Sequence, residues 1–320
     1  MRSGGCNRWI GLNGRMRERT AADWTVVTRM HDTFIEFPPF EVVEPSHTSL
    51  PLVFNSPHSG RRYPAAFLAA SRLNEQTIRR SEDSYVDELF LPAAALGGPL
   101  LRAHFPRAWL DVNREPYELD PKMFAGELPA FANTRSPRAA SGLGTIPRIV
   151  AESEDIYAAP LAVTEVLTRI EAVYRPYHQT LRDLMARTQV QFGYAILVDC
   201  HSMPSAVRGA PVRRRPDFVV GDRHGMSCAA VLVDAAMNCL GSAGFVVARN
   251  KPYAGGFITE HYGKPRQGFH ALQVEVNRGL YMDEHTLDKG TRFAAIQEML
   301  ATLAGILAAV DPSAVAEAAE

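Results

Sequence analysis

The chain has 320 residues, 46% hydrophobic and 22% charged, which suits one large globular domain or two smaller ones. The formal net charge of −1 gives no reason to expect a nucleic acid or an anionic membrane surface as a partner. No apolar run approaches the roughly 18 to 20 residues of a membrane helix, and four cysteines without CxxC spacing favour a reducing, cytoplasmic compartment.

The first 38 residues scatter arginines among glycine and polar residues, around one short apolar cluster at Ile10–Leu12. We expect a loose extension there, or an over-long start with Met16 or Met30 as the initiator. A secretory signal is not expected because no long apolar region is present, and an Arg-rich organelle presequence is the weaker alternative.

Two strands are predicted to deliver a histidine followed by a serine. Pro51–Asn55 runs into Ser56-Pro57-His58-Ser59, and Tyr194–Val198 runs into Asp199-Cys200-His201-Ser202. Because ligand sites gather where the strands of an α/β sheet end, this pattern suggests one shared metal site. The alternative for His58 is an ordinary histidine in a turn.

The interval from Asn74 to Leu96 is predicted as one helix, with Asn74 as its N-cap. Asp83 and Asp87 are four residues apart, so a helix would place them on one face, a turn from each other. Glu82 and Glu88 lie beside them in the sequence. A solvated acidic surface is the alternative to a binding site, but the apolar residues between the acids favour burial.

Leu100–Phe105 and Ala108–Val112 are predicted as further strands, and the second is followed by Asn113 and Arg114. A guanidinium beside an amide is suited to binding a substrate carboxylate. The alternative is a structural ion pair of Arg114 with Asp111 or Glu115.

Residues 120–150 are rich in Pro, Gly, Ser and Arg, and we interpret them as a mobile lid or a loop on the substrate side. Their Gly142 and Gly144 do not complete a phosphate-binding motif. A long helix follows between Val166 and Leu184, with a kink expected at Pro176. The basic run at Arg213–Arg215 is expected to be exposed, or to attract an anionic substrate.

In the C-terminal part, Glu275 stands inside the apolar strand Ala271–Val276, and Gln273 shares its face. A buried carboxylate there needs a partner or a chemical role. Other elements are predicted in this part and listed here: strand Asp217–Val220, helix Met226–Leu240, strand Phe245–Ala248 and a helix from Phe293 to Val310.

The alternation of strands and helices predicts an α/β three-layer sandwich around a mixed, mostly parallel sheet. A catalytic zinc commonly takes two histidines and a carboxylate and leaves one position open. His58, His201 and one acid from Glu82, Asp83 or Asp87 would supply that set. Glu275 is the candidate for the group that takes a proton from the attacking water, and arginines would hold the substrate carboxylate and the developing oxyanion.

At these residues the sequence resembles the N-formylglutamate amidohydrolase family, over about Phe40 to Glu284. The motifs that carry the resemblance are Asn55-Ser-Pro-His-Ser-Gly60, Asp83-Ser-Tyr-Val-Asp87-Glu-Leu-Phe90, Ala108-Trp-Leu-Asp-Val-Asn-Arg114, Asp199-Cys-His-Ser202, Gly221-Asp-Arg-His-Gly225, Gly255-Gly-Phe-Ile-Thr259, Tyr262-Gly263 and Gln273-Val-Glu-Val-Asn-Arg278. That family resembles zinc carboxypeptidases in fold. In zinc carboxypeptidases a glutamate ligand follows the first histidine by three residues, a position that Arg61 occupies here.

The resemblance implies Zn²⁺, or another divalent cation, held by His58, His201 and an acid that is Asp83 in preference to Asp87 or Glu82. It implies Glu275 as general base and acid, with Arg107 and Arg114 stabilising the oxyanion and the substrate carboxylate. Asn113, Asn277 and Arg278 complete the expected substrate-binding set. The expected substrate is a small N-acyl amino acid, and a place in histidine degradation is implied.

We therefore predict one metallohydrolase domain over residues 39–311, followed by an Ala/Glu tail at 312–320. The predicted activity is hydrolysis of N-formyl-L-glutamate, or a similar N-formyl amino acid, to formate and the free amino acid. A zinc hydrolase of another N-acyl amino acid or small peptide is one alternative. A non-catalytic module that binds a dicarboxylate is another. The sequence sets no oligomeric state.

Overall fold

The computed structural model describes residues 8–10, 16–18, 35–150, 154–206 and 215–317. Contacts divide the chain into a unit of Met1–Pro38 and a unit of Pro39–Glu320. In the first unit, β1 (Arg8–Ile10) pairs antiparallel with β2 (Met16–Glu18). The rest of the predicted extension up to residue 34, and residues 213–214 of the basic run, lie outside the described residues.

The strands of the second unit are β3 (Phe40–Val43), β4 (Leu52–Ser56), β5 (Leu100–Ala103), β6 (Phe124–Ala125), β7 (Ile149–Val150), β8 (Glu154–Asp155), β9 (Leu161–Ala162), β10 (Ala195–Met203), β11 (Phe218–Gly221), β12 (Val247–Arg249) and β13 (Phe269–Asn277). Seven of them form one sheet in the order β12–β11–β13–β10–β4–β5–β3. The neighbours β13, β10, β4 and β5 run parallel, while β11 and β3 join them antiparallel. The prediction of a mixed, mostly parallel sheet is confirmed.

The helices are α1 (Ala65–Ala70), α2 (Glu75–Ile78), α3 (Val86–Ala95), α4 (Pro137–Ala140), α5 (Val163–Arg169), α6 (Arg175–Phe192), α7 (Ala230–Ser242), α8 (Phe257–Tyr262), α9 (Phe293–Ala308) and α10 (Pro312–Glu317). The last of these occupies part of the predicted Ala/Glu tail. Within the described residues, no helix is long and apolar enough to cross a membrane.

Helices cover both faces of the sheet, as the three-layer prediction requires. On one face α3, α7 and α9 pack over alternate strand residues, among them Phe54, Val198 and Val274, in one continuous apolar core. On the other face α6 packs over β4 and β10, where the Tyr177 hydroxyl donates to Asn55 Oδ1 at 2.6 Å. Since successive strand residues point to opposite faces, the polar side chains at odd positions of β10 and β13 lie on the α6 side.

The prediction of one helix from Asn74 to Leu96 is wrong, although Asn74 caps α2 by accepting from Thr77 N at 2.8 Å. A 3₁₀ turn at Arg79–Ser81 and an extended segment separate α2 from α3. Tyr85 has a φ of 65°, in the left-handed region. This break lets Asp83 N donate to His58 O at 3.0 Å, so Asp83 does not share a helix face with Asp87.

Ala108–Val112 is not a strand, which corrects a second prediction. The chain turns there, with Trp109 N donating to Pro106 O at 3.0 Å. This turn brings Arg107 and Arg114 onto the same carboxylate, Asp111, an arrangement that an extended strand with alternating side chains would not give. The long helix predicted around Pro176 is divided by a π-helical turn at Ile170–Tyr174, after which α6 begins with Pro176 in its first turn.

Strand β10 continues through Asp199-Cys-His-Ser to Met203, so these residues lie on the sheet and not in a loop after it. The parallel register places His201 beside Glu275 of β13, and Asp199 between Asn55 of β4 and Gln273 of β13. The polar groups are therefore held by the most rigid part of the fold.

Candidate metal centre and active-site cavity

His58, Asp83 and His201 form a buried cluster in which one ligand atom of each residue lies within 4.8 Å of the others. Asp83 Oδ2 is 3.0 Å from His201 Nδ1 and 3.4 Å from His58 Nδ1. The three residues come from the loop after β4, from the break between α2 and α3, and from β10. Of the acids that the sequence offered as the third member, Asp83 is the one brought to the histidines.

The other two acids have separate partners. Glu82 accepts from the Tyr63 hydroxyl at 2.6 Å and pairs with Arg79 at 3.0 Å. Asp87 pairs with Arg102 at 3.3 Å. Both groups therefore stabilise the surrounding structure away from the histidine pair.

A carboxylate orients the His58 ring. His58 Nε2 is 2.8 Å from Asp111 Oδ1, and since a carboxylate accepts, Nε2 donates. His58 Nδ1 is consequently left with its lone pair, and this buried atom makes no hydrogen bond within the described residues. Such a carboxylate–histidine pair is how proteins fix a metal-binding tautomer.

The His201 ring is arranged in the same way. Its Nε2 is 3.2 Å from Asp199 Oδ2 and 3.3 Å from Asn113 Nδ2, while Nδ1 faces Asp83. Burial lowers the pKa of His201, but the carboxylates of Asp199 and Asp83 outweigh it and raise the pKa well above its ordinary range. A proton or a cation between His201 and Asp83 is therefore strongly stabilised. This geometry suits Asp199 to orient the imidazole of His201.

The second oxygen of Asp83 is fixed from outside the cluster. Asp83 Oδ1 accepts from the Ser202 hydroxyl and from Arg278 Nη2, both at 3.0 Å. Burial raises the pKa of Asp83, but the neighbouring imidazoles of His201 and His58 reverse the effect and bring the pKa well below its ordinary range. Asp83 is therefore ionised, with one oxygen immobilised and the other directed at the histidines.

The donor set suits a divalent metal ion. Two imidazole nitrogens and one carboxylate oxygen are the ligands of many catalytic zinc sites, which keep a further position open. The unbonded, buried Nδ1 of His58 is what a missing ligand partner would leave. The chain thus offers a cluster that could hold a metal ion.

Glu275 lies one strand from His201, at the wall of the same cavity. Gln273 Nε2 donates to Glu275 Oε1 at 2.8 Å, and Gln273 Oε1 accepts from Gly256 N at 2.9 Å. Burial, joined by the charge of Asp83, raises the pKa of Glu275 to about 8 against the opposing charges of His201, Arg107 and Arg278. A carboxyl group with this affinity for a proton can both accept and return one near neutral pH.

Two arginines converge on Asp111, the residue that orients His58. Arg107 Nε lies 2.9 Å and Arg114 Nη2 lies 3.5 Å from Asp111 Oδ2. Arg114 also donates through Nε to Leu143 O at 2.8 Å and through Nη1 to Asn113 O at 2.7 Å. The structural ion pair with Asp111, an alternative for Arg114, is therefore present, and its guanidinium is largely committed to the protein.

The remaining predicted residues have mixed placements. Asn113 lines the cavity, and its Oδ1 accepts from Ile258 N at 2.8 Å. Arg278 lines the cavity as well, although its guanidinium is bonded to Asp83, and to Ser202 at 3.0 Å. Asn277 is not among the lining residues, and its side chain accepts from Gly279 N and donates to Pro216 O. The structure thus brings all the predicted site residues together except Asn277.

The cluster opens into a cavity of about 620 Å³. Segment 120–150 supplies one wall through Arg138, Leu143 and Pro147, and the segment at 252–256 supplies another. Segment 120–150 is tied down by Arg148, which bonds Asp120 at 2.8 Å and Asp155 at 2.5 Å. This wall is consistent with the predicted loop on the substrate side.

Several members of the site were missed from the sequence. Asp111 had been considered as a partner of Arg114 but not as the residue that orients His58. The sequence feature that could have indicated this role is the position of Asp111, directly after an apolar run and two residues before Asn113. Arg138 and Arg223 also line the cavity and had no signal beyond their charge. Cys200 is buried in the apolar core, where burial raises the pKa of its thiol, so it packs there and is not a reactive thiolate.

Comparison with known proteins agrees with this geometry. A sequence model described as N-formylglutamate amidohydrolase matches residues 50–282. The N-formylglutamate deformylase of Pseudomonas aeruginosa is 30% identical over 273 residues, covering 82% of this chain and 96% of that protein. The N-formylglutamate deformylase of Pseudomonas putida is 32% identical over 238 residues, covering 73% of this chain and 83% of that protein.

Among solved structures, the chain is similar to the crystal structure of N-formylglutamate amidohydrolase from Ralstonia eutropha JMP134. The TM-score is 0.79 at 36% identity, and the match covers 84% of this chain and 96% of that chain. The chain therefore aligns with most of the length of these relatives, from 83% to 96%.

Proposed function

The chain belongs to the N-formylglutamate amidohydrolase family, and we propose that it hydrolyses N-formyl-L-glutamate, or a similar N-formyl amino acid, to formate and the free amino acid. Two relatives carry the name N-formylglutamate deformylase, and the alignments with them span most of both proteins. The protein is thus a hydrolase of a linear amide bond with a small-molecule substrate.

The observation that carries the proposal is the buried triad of His58, Asp83 and His201 at the wall of a cavity that Glu275 also lines. We propose that this triad holds Zn²⁺, with another divalent cation as the alternative. When bound, the ion would act as a Lewis acid that polarises the formyl carbonyl and acidifies water. Asp111 and Asp199 support the proposal because each directs one imidazole toward the triad.

Glu275 would move the proton. Water adds to the formyl carbon, and its proton passes to the Glu275 carboxylate as the carbon–oxygen bond forms. Glu275 then returns this proton to the amide nitrogen as the carbon–nitrogen bond breaks, which releases formate and the amino group. Its raised pKa makes Glu275 a stronger base for the accepting step, and leaves it protonated near neutral pH until the nitrogen takes the proton.

Arg107 is the cation best placed to stabilise the negative oxygen that develops on the formyl group. It lines the cavity and lies within electrostatic reach of Asp111, Asp83 and Glu275. Fixed positive groups at a developing oxyanion stabilise the transition state more than the substrate. Asn113, held by Ile258 N, faces the same space.

Formate release from N-formyl-L-glutamate tests the activity, and metal analysis of the purified protein tests the ion. We expect turnover with N-formyl-L-glutamate, its loss on chelation and its recovery with Zn²⁺. Comparison with N-acetyl-L-glutamate and a formylated dipeptide separates a deformylase from a hydrolase of other acyl groups. Binding of glutarate without turnover of any of these compounds would favour a non-catalytic dicarboxylate-binding module.

We also propose a cytoplasmic location and a place in histidine degradation. The described cysteines Cys200, Cys228 and Cys239 are unpaired, which suits a reducing compartment. Cell fractionation tests the location. Growth of a strain lacking the gene, with histidine as sole nitrogen source, tests the pathway.

A further inference from the structure

Arg138 differs from the other arginines of the cavity in having an uncommitted guanidinium. Arg114 and Arg278 each donate to at least two groups of the protein, and Arg223 donates to Gly255 O and pairs with Glu260. Arg138 lines the cavity, but its guanidinium makes no hydrogen bond or ion pair within the described residues. A half-buried cation that faces a cavity without a partner is available to a ligand.

The backbone fixes Arg138 next to Arg114. Arg114 Nε donates to Leu143 O, and Leu143 N donates to Arg138 O, both at 2.8 Å. Arg138 lies in α4, which is capped by Ser136 through a 2.9 Å hydrogen bond from Ala139 N, and Ser136 Oγ in turn bonds Glu118. The short helix therefore has a defined position.

Contacts connect the triad to Arg138 through Asp111 and Arg114. Asp111 is bonded to His58 and pairs with both Arg107 and Arg114. Arg114 in turn donates to Leu143 O, in the turn that Leu143 N closes onto Arg138 O. Arg114 thus has Asp111 on the side of the triad and the Arg138 turn on the side of segment 120–150, and the positive charge of Arg138 helps burial to lower the pKa of Arg114 to about 10.

We propose that Arg138 binds the side-chain carboxylate of the substrate and sets the preference for an acidic N-formyl amino acid. The inference rests on the proposed function. A dicarboxylic substrate carries its second carboxylate several bonds beyond the scissile amide, on the side away from the triad. Arg138 offers a guanidinium there, and a guanidinium can bind a carboxylate through two parallel hydrogen bonds.

N-formyl-L-glutamate and N-formyl-L-glutamine test the proposal, since they differ only in the charge of the side chain. For the wild type we expect a clear preference in kcat/KM for the glutamate substrate. Arg138→Gln should lower kcat/KM for N-formyl-L-glutamate by about 10- to 100-fold, mainly through KM, because one charge-assisted interaction is lost. The same variant should leave kcat/KM for N-formyl-L-glutamine within about 3-fold, while Arg138→Lys should recover part of the loss.

Arg135→Gln is the matched control, because Arg135 is exposed on the same segment and does not line the cavity. It should keep the wild-type ratio between the two substrates. An equal loss for both substrates in Arg138→Gln, or an unchanged ratio, would overturn the assignment of Arg138. A wild type that releases formate from neither substrate would instead reject the proposed function. Thermal unfolding and metal content of each variant verify that the fold is intact.

Discussion

At the scale of single residues, the site depends on carboxylates that differ in their affinity for a proton. Asp83 and Asp111 are ionised because imidazoles and arginines surround them, which lowers their pKa values well below the ordinary range. Glu275 is buried with an amide as its hydrogen-bond partner, and its pKa rises to about 8. This division supports the proposal that Asp83 binds the metal, Asp111 orients His58 and Glu275 transfers the proton.

Replacing Glu275 by Gln should lower kcat by about 10² to 10⁴, the usual contribution of a positioned acid–base group. Metal content should be retained, because Glu275 is outside the triad.

The pH dependence of the wild type tests the same residue. The carboxylate form of Glu275 is the one that accepts the proton, so kcat/KM of the wild type should fall as the pH decreases below the pKa of Glu275. A cation in the triad would bring that pKa below 8. Formate release across pH 5–9 measures both effects, with exposed Glu298→Gln as control, and retained turnover in Glu275→Gln would exclude this base.

Asp111→Asn should weaken metal binding by about 10- to 100-fold, the usual cost of losing the partner of a ligating histidine. The amide can donate to His58 Nε2, which would place the proton on Nδ1, the atom that should face the metal. Titration with Zn²⁺ in competition with a chromophoric chelator measures the change. Asp155→Asn, which removes a carboxylate from Arg148 at the surface, is the control. Wild-type affinity in Asp111→Asn would disprove the orienting role.

At the scale of secondary-structure elements, segment 120–150 supports the site from behind. Thr145 N donates to Glu118 O and Thr145 O accepts from Asp111 N, both at 2.8 Å, so this segment holds the backbone of the residue that orients His58. Gly144 makes the close approach possible, since a Cβ at this position would lie 2.0 Å from Glu118 O. A phosphate-binding role is not needed to explain the glycines.

Gly144→Ala should therefore destabilise the protein by about 1 to 3 kcal/mol, a typical cost of overpacking, and lower kcat/KM by displacing Asp111. Gly305→Ala in α9 is the control, because a Cβ there meets no atom within 4 Å. This second change should be neutral or stabilising by up to about 1 kcal/mol. Urea unfolding of both variants supplies the comparison. If the two variants had equal free energies of unfolding, segment 120–150 would be able to move away from Glu118 and accommodate the added methyl group.

Helix α6 contains a buried histidine that should make stability depend on pH. His178 Nε2 donates to Val112 O at 2.8 Å, and burial lowers its pKa to about 3. Between this value and about 6.5, the unfolded chain binds the proton that the folded protein excludes. The contribution of His178 to the free energy of unfolding is therefore fully present above pH 6.5. Below that pH the free energy of unfolding decreases by about 1.4 kcal/mol per pH unit, down to the pKa of the folded protein.

Replacing His178 by Asn should flatten this dependence, whereas replacing the exposed His47 by Asn should leave it unchanged. The free energy of unfolding in urea at pH 4, 5, 6 and 7 measures the slope for each protein. An identical slope in His178→Asn and the wild type would mean that other groups dominate the acid response.

At the scale of the whole molecule, the sequence predicted the sheet and the two histidines that meet at it, and left the acid beside them open among Glu82, Asp83 and Asp87. Aliphatic runs such as 194–198 predict buried strands from the local sequence alone. Polar residues at the ends of such strands therefore stand out as candidates for a functional site. The break at Tyr85 could not be predicted in this way. Asn74 to Leu96 has a helical pattern throughout, and the chain leaves it because Asp83 must reach two histidines that are distant in sequence.

The turn at 106–114 escaped prediction for a related reason. Its apolar residues suit a strand, but Arg107, Asp111 and Arg114 pair with one another across the turn, which only the tertiary structure reveals. The proposed role of Arg138 depends on a guanidinium that has no partner among the described residues, and a sequence does not show whether a side chain is paired. Local propensity thus sets the scaffold, whereas long-range ion pairs set the details of the site.

Metal binding should stabilise the whole fold, because the ligands at positions 58, 83 and 201 come together only in the native state. An ion that binds the folded protein alone adds about 2.7 kcal/mol at a concentration 100 times its Kd. Thermal unfolding of chelator-treated protein should therefore shift upward with added Zn²⁺, at constant pH. His58→Ala should abolish the shift, while Glu275→Gln should retain it, since the general base is not needed to hold the ion. If Zn²⁺ raised the unfolding temperature of His58→Ala as much as that of the wild type, the metal would bind elsewhere. This would hold even if His58→Ala lost formate release, because the triad would then take part in the reaction without binding the ion.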